Sequence, residues 1–201
     1  MPTGRGLRSD DHAHAEQEVT KVFIGGSRHL TRLPADVRIR LDRIVDSRLP
    51  VVVGDANGAD KAVQAFLAER HHAMVEVFCS SEPRNNVGGW PLRVVQTARA
   101  ARDFEYYASK DRAMASEATV GLMLWDGASR GTLLNVLRLV AQAKPIVVYS
   151  QTDRAFADIR GRSDFDKLTA MLHGAAARRF QEQAAAEGYG QFVAAQPALR
   201  M

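Results

Sequence analysis

The feature that most constrains this chain is a repeating alternation. Short apolar runs, the first two stopping at glycine, alternate with stretches that show helical spacing of apolar residues. Lys21-Val22-Phe23-Ile24 ends at Gly25-Gly26, and Pro50-Val51-Val52-Val53 ends at Gly54. Met74 to Phe78, Thr119 to Trp125 and Pro145 to Tyr149 are three further runs of this kind. Runs of four to seven residues, apolar throughout rather than alternating, read as strands buried on both faces. Between them, Val37, Leu41, Ile44 and Val45 predict a helix from about Pro34 to Ser47, with proline suited to its first turn. Ala62, Val63, Phe66 and Leu67 predict a second helix, and Leu133, Val136, Leu137 and Val140 another. Helices are also expected over Leu92 to Ala101 and Phe104 to Glu117. Strands alternating with helices imply an α/β fold, a parallel sheet of about five or more strands with helices on both faces.

Other segments set the boundaries. Residues 1–19 are polar, mixed in charge and without an apolar core, and are expected to be a disordered leader rather than a secretory signal. Residues 20–150 carry the alternation and form the sheet domain. Residues 151–201 are expected to form a helical C-terminal extension with no strand. Its helices are marked by Phe165, Leu168, Met171 and Leu172 and by Ala175 to Glu187, with the chain loose after Gly188. Ser80 to Pro91 reads as a long surface loop.

Composition narrows the function classes. The single cysteine, Cys79, has no partner for an internal disulfide and reads as a half-buried apolar residue, so a cytoplasmic setting is expected. No stretch approaches the roughly 20 apolar residues of a membrane span. No His, Cys, Asp and Glu pattern has metal-ligand spacing, so no metal or cofactor is expected; His71-His72 should lie at the polar end of a helix. The net charge of +4 fits an anionic ligand. Arg84, Arg93, Arg99 and Arg102 are too dispersed for a nucleic-acid patch, so nucleic acid is set aside as a partner.

Chemistry should sit where three strands end: Gly25-Gly26-Ser27-Arg28, Gly54-Asp55-Ala56-Asn57-Gly58-Ala59-Asp60 and Trp125-Asp126-Gly127-Ala128-Ser129-Arg130-Gly131-Thr132. In a parallel sheet all three lie at the carboxyl edge, where open α/β sheets bind ligands. Glycine lets backbone amides approach a phosphate, Ser and Thr add hydroxyls, and a following helix N-terminus adds its positive end. Arg28 and Arg130 could grip phosphate oxygens in pairs. Among acidic residues, Asp60, Glu105 and Asp126 are the candidates for catalysis, with N-capping or solvation as their ordinary alternatives. Tyr106, Tyr107 and Trp90 could stack on a base or simply pack.

Together, Gly25-Gly26-Ser27-Arg28, Gly54-x-x-x-Gly58-Ala59-Asp60 and Trp125-Asp126-Gly127-x-Ser129-Arg130-Gly131-Thr132 resemble the SLOG superfamily. That group joins DprA, the LOG phosphoribohydrolases and the YpsA/YspA-like proteins, and the likeness, over about residues 20–150, is greatest to the YspA-like branch. The resemblance implies a Rossmann-like fold that holds a nucleotide or nucleotide-derived ligand, and a homo-oligomer. In LOG-type enzymes the last loop reads Pro-Gly-Gly-x-Gly-Thr-x-x-Glu, with an Arg upstream before a Met. Here Gly131-Thr132 match, Asn135 stands at the Glu position, and Lys110 stands at the upstream Arg position. Asparagine cannot serve as a general base. The leading expectation is therefore a sensor or sequestering module, with ligand contacts from the three loops and Lys110. N-glycosidic hydrolysis of a nucleotide or NAD-like substrate is the first alternative, and DprA-like nucleic-acid handling the second.

Overall fold

A computed structural model describes residues 19–96 and 104–193, with side chains in the second segment described from Tyr106 onward. Its centre is a seven-stranded sheet. The strands are β1 (Val22–Gly26), β2 (Val51–Gly54), β3 (Val75–Cys79), β4 (Leu92–Val94), β5 (Val120–Trp125), β6 (Ile146–Ser150) and β7 (Ala155–Ile159). They lie in the order β4-β3-β2-β1-β5-β6-β7, all parallel except the antiparallel pair β6 and β7. The five apolar runs are the five central strands.

Because successive strand side chains point to opposite faces, each apolar strand feeds two cores. Val22, Ile24, Val51, Val53, Val75, Val77, Leu122 and Leu124 pack on one side with α1 (Ala35–Asp46) and α2 (Ala59–Glu69). Phe23, Val52, Phe78, Met123, Trp125 and Val148 pack on the other side with α3 (Phe104–Glu117) and α4 (Arg130–Ala141). The C-terminal helices α5 (Arg162–Thr169) and α6 (Gly174–Ala186) join this second core through Phe165, Leu168, Phe180 and Ala184, and α7 (Gly190–Val193) follows. No helix of the described residues is long and apolar enough to cross a membrane.

Three expectations are corrected. Residues 151 onward do contain a strand: β7 pairs with β6, and Phe156 meets Tyr149 edge-on at 5.1 Å while the Arg40 guanidinium covers its ring. As a mostly exposed edge strand it lacks the apolar run that marks a central one. The helix expected from Leu92 begins instead as β4, held on β3 by Val77 N–H to Pro91 O and Val95 N–H to Cys79 O. Residues 97–101 of that expectation lie outside the described residues, as do Arg99, Arg102, most of the leader and residues 194–201. Cys79 is wholly buried rather than half-buried.

The loop from Ser80 to Pro91 is anchored. Trp90 is buried and its Nε1 donates to His72 O at 2.9 Å, while Asn86 brackets the Trp90 backbone with both ends of its amide. Gln64, fully buried on α2, accepts from Val87 N and donates to Gly54 O. His72 closes the end of α2 by a ring nitrogen 2.9 Å from Leu49 O.

Candidate functional site

The strand order reverses between β1 and β5, which makes their carboxyl ends the switch point of the sheet. A cleft of about 440 Å³ opens there, within the size range of pockets that hold small ligands.

The first and third loops are joined by one carboxylate. Asp126 Oδ2 accepts from Ser27 Oγ at 2.5 Å, and Oδ1 accepts from the Ala128 and Ser129 amides at 3.0 and 2.7 Å. Burial pushes the Asp126 acid up, but these donors outweigh it and hold its pKa below the usual carboxylate value. Ser27 continues the β1–β5 pairing by donating its amide to Leu124 O, and its hydroxyl also accepts from His29 N. Trp125 lies under the third loop, fully buried, with Nε1 donating to Ser129 O. Gly26 permits this closeness: a Cβ there would lie 2.8 Å from Ala59 Cβ.

The second loop touches the first through Ala59 N–H to Ser27 O at 3.0 Å. Its polar side chains divide. Asp55 turns away from the cleft to Arg84, taking Nη2 at 2.8 Å, Nε at 3.1 Å and the amide at 3.2 Å. Asn57 accepts from Asn85 Nδ2. Asp60, the second residue of α2, is buried and faces the cleft floor, where Oδ2 accepts from Ala56 N.

That floor is charged. Lys110, on α3 and nearly inaccessible, donates to Asp111 Oδ1 at 2.8 Å and lies 3.9 Å from Asp55 Oδ1. Burial alone would lower its pKa, but the surrounding Asp111, Asp60 and Asp55 charges outweigh burial and raise it. Asp60 goes the other way. Burial dominates, and despite the Lys110 charge its pKa is pushed up to about 6. Gly54 makes room for the pair, since a Cβ there would meet Asp60 Oδ2 and Lys110 Nζ.

A pH test follows from this burial. In the unfolded chain Asp60 ionises near pH 4; in the fold it resists until about 6. Its neutral form is therefore favoured by folding, and stability is lost as pH rises from 4 through 6. Asp60→Asn should gain on the parent protein over that window, by about 2 to 3 kcal/mol, and hold a constant difference above it. Urea denaturation at pH 4, 5, 6 and 7.5 checks it; a pH-independent difference refutes the assignment.

The third wall is the start of α4. Ser129 is the N-cap, its Oγ accepting from Thr132 N at 3.4 Å and from Thr132 Oγ1 at 2.9 Å. A Cβ on Gly131 would meet nothing within 4 Å, so this glycine faces open space. Arg28 and Arg130 flank the opening with no ion pair among the described residues. Arg28 is set over the Tyr107 ring at 5.4 Å, and Arg84 is set 5.2 Å from the same ring.

Of the residues singled out in the sequence, Gly25, Gly26, Ser27, Arg28, Asp60, Lys110, Asp126, Ser129, Arg130, Gly131 and Thr132 line this one cleft. Gly54, Asp55, Asn57, Gly58, Ala59, Trp125 and Gly127 lie behind the lining or beside it. The Glu105 side chain lies outside the described residues. Sequence reasoning missed His29, Asp111, Arg138 and Gln183, which also line the cleft. One signal for Arg138 was available: Thr132, Asn135 and Arg138 form a polar row at three-residue spacing through an otherwise apolar helix. No group of acidic, His or Cys side chains among the described residues could hold a metal ion.

A mostly parallel sheet in this order, with helices on both faces and a cleft at the switch point, defines a Rossmann-like α/β protein. Among solved structures, the chain is similar to DNA processing protein A (DprA) from Helicobacter pylori, described for its unique mode of binding single-stranded DNA. The two share 13% identity over 84% of this chain and 81% of that one, with a TM-score of 0.52. At such identity the likeness establishes the fold. DprA is one of the proteins that the SLOG resemblance joins. No protein-family model matches the sequence, and no curated protein matches it. The neighbour also corrects an expectation: a protein of this fold binds single-stranded DNA, so dispersed arginines are no ground for setting nucleic acid aside.

Proposed function

We propose that this protein holds a nucleotide or nucleotide-derived ligand in the β1–β5 cleft, as a sensing or sequestering module of the YspA-like kind. One observation carries the reading. Two arginines without ion-pair partners among the described residues, Arg28 and Arg130, flank the N-terminus of α4 at the sheet's switch point, beside open space at Gly131. A helix N-terminus with backbone amides facing solvent favours phosphate. The backbone amide of Gly131 would supply a short contact, and the two guanidinium groups the charge. Tyr107 also lines the cleft, with the Arg28 guanidinium over its ring. Calorimetric titration with AMP, NAD, ADP-ribose and oligothymidylate tests it. Binding of at least one mononucleotide-containing ligand is expected, with Arg28→Ala/Arg130→Ala weakening it about 30-fold or more. Silence across the panel overturns the proposal. Preference for oligothymidylate over every mononucleotide would transfer the reading to single-stranded DNA.

A second reading rests on Asp60. A buried carboxyl group beside a lysine on the floor of a cleft, with a pKa of about 6, is poised to exchange a proton near neutral pH. Hydrolysis of an N-glycosidic bond would use it to accept a proton from attacking water while the base departs with the bonding electrons. Free adenine released from AMP or nicotinamide from NAD, lost in Asp60→Asn, would establish that chemistry; unchanged substrate after prolonged incubation excludes it.

A further inference from the structure

Asn135 occupies the cleft wall one turn beyond Thr132, and its relative exposure is only 7%. Its amide is not ambiguous. Oδ1 accepts from Arg138 Nη1, and a guanidinium has donors only, so the oxygen must face Arg138 and the nitrogen must face away from it. Nδ2 makes no hydrogen bond among the described residues. No buried polar side-chain atom among the described residues lacks a partner, so Nδ2 lies at the accessible surface of the cleft. A nine-tenths buried amide thus spends its acceptor inward and leaves both donor hydrogens to whatever enters.

Arg138 cannot easily release that oxygen. Its exposure is 1%, and Glu187 at the C-cap of α6 takes Nε at 2.9 Å and Nη2 at 2.5 Å. The Glu187 carboxylate is itself 1% exposed and lies 3.7 Å from Arg112, while Asp111 Oδ2 lies 3.7 Å from Arg138 Nη1. The forked geometry fixes the plane of the guanidinium, and the guanidinium fixes the amide.

We infer that Asn135 reads the ligand as a hydrogen-bond donor, giving Nδ2–H to an acceptor oxygen on its phosphate or ribose, and that Glu187 of the C-terminal helix sets this donor through Arg138. Asn135 is the contact; Arg138 and Glu187 are positioning residues. The inference rests on the nucleotide reading of the cleft and adds the polarity of one wall. A carboxylate at position 135 would present an acceptor and a negative charge to the same oxygen, so this wall selects for acceptor-rich ligands. It also gives residues 174–187, far along the chain, a part in recognition.

The test is amide NMR and calorimetry on the full-length chain with three probes: AMP, inorganic pyrophosphate and adenosine. Saturation with AMP should shift the Asn135 side-chain NH₂ resonances. A shift with pyrophosphate assigns the contact to phosphate, and a shift with adenosine assigns it to ribose. Asn135→Asp keeps an oxygen toward Arg138 but replaces the donor with an acceptor and a negative charge, so it should weaken AMP binding about tenfold or more, and Asn135→Ala should fall between it and the parent. Glu187→Gln should move the Asn135 NH₂ resonances in the ligand-free protein, a signature that mere loss of stability would not give. If AMP binds, the Asn135 resonances stay in place and Asn135→Asp binds within twofold, the inference is wrong and the nucleotide reading survives. If none of the three probes binds, the inference falls, and the nucleotide reading falls with it when NAD and ADP-ribose are silent in the titration above.

Discussion

Replacing Gly58 with alanine is expected to destabilise the protein by about 3 kcal/mol and lower its melting temperature by roughly 10 °C. Gly58 has φ +83° and ψ −127°, backbone that costs a side-chain-bearing residue heavily. A Cβ there would also run into the backbone of Arg28, the segment that the second loop is packed against. Relief would require separating the loops, which breaks the Ala59 N–H to Ser27 O bond and shifts Ser27 away from Asp126. Gly131→Ala is the matched control. Its Cβ would enter open space within a helix, where alanine is the better helix former. Its melting temperature should be unchanged or slightly raised, while ligand affinity falls because the methyl group occupies ligand space. Thermal denaturation of the two variants, with the titration above, separates a glycine needed for packing from one needed for access. Equal melting temperatures would refute the first assignment.

The contrast shows what the sequence made legible. Gly-rich loops at strand ends announced where the cleft would be, because apolar runs buried on both faces leave little freedom in strand identity or direction. Which way each loop side chain turns was not legible. Asp55 and Asn57 look like ligand residues in sequence but are captured by Arg84 and Asn85, which arrive from a loop about thirty residues on. Trp125 ends an apolar strand and obeys the strand's alternation, so it points into the core. The edge strands were missed for a different reason. β4 and β7 are held by their neighbours' backbone hydrogen bonds and bury little of their own surface, so no periodicity records them. Asn135 and Arg138 lay within a recognisable helix, yet their partner Glu187 lies 49 residues beyond Arg138, and only the packing of Phe180 and Ala184 brings it there.

That long-range pair carries the other large effect. Glu187→Ala is expected to cost about 3 to 5 kcal/mol, because among the described residues it leaves a buried guanidinium with only Asn135 and the more distant Asp111 as acceptors. Most of the cost is the stranded charge rather than the worth of the bridge. Replacing both members with apolar residues, Arg138→Met/Glu187→Leu, should therefore recover most of the stability lost by either single replacement, and a double-mutant cycle should give a coupling of at least about 1.5 kcal/mol. Chemical denaturation of the four proteins measures it, and additive effects would refute the coupling. The double replacement then divides structure from recognition. It restores a packed core but leaves Asn135 Oδ1 without its donor, so the amide is free to turn. A double variant that is stable yet binds AMP weakly would mean that the pair is present to aim Asn135. One that is stable and binds as the parent does would mean that α6 is simply fastened to α4 by a charged bolt.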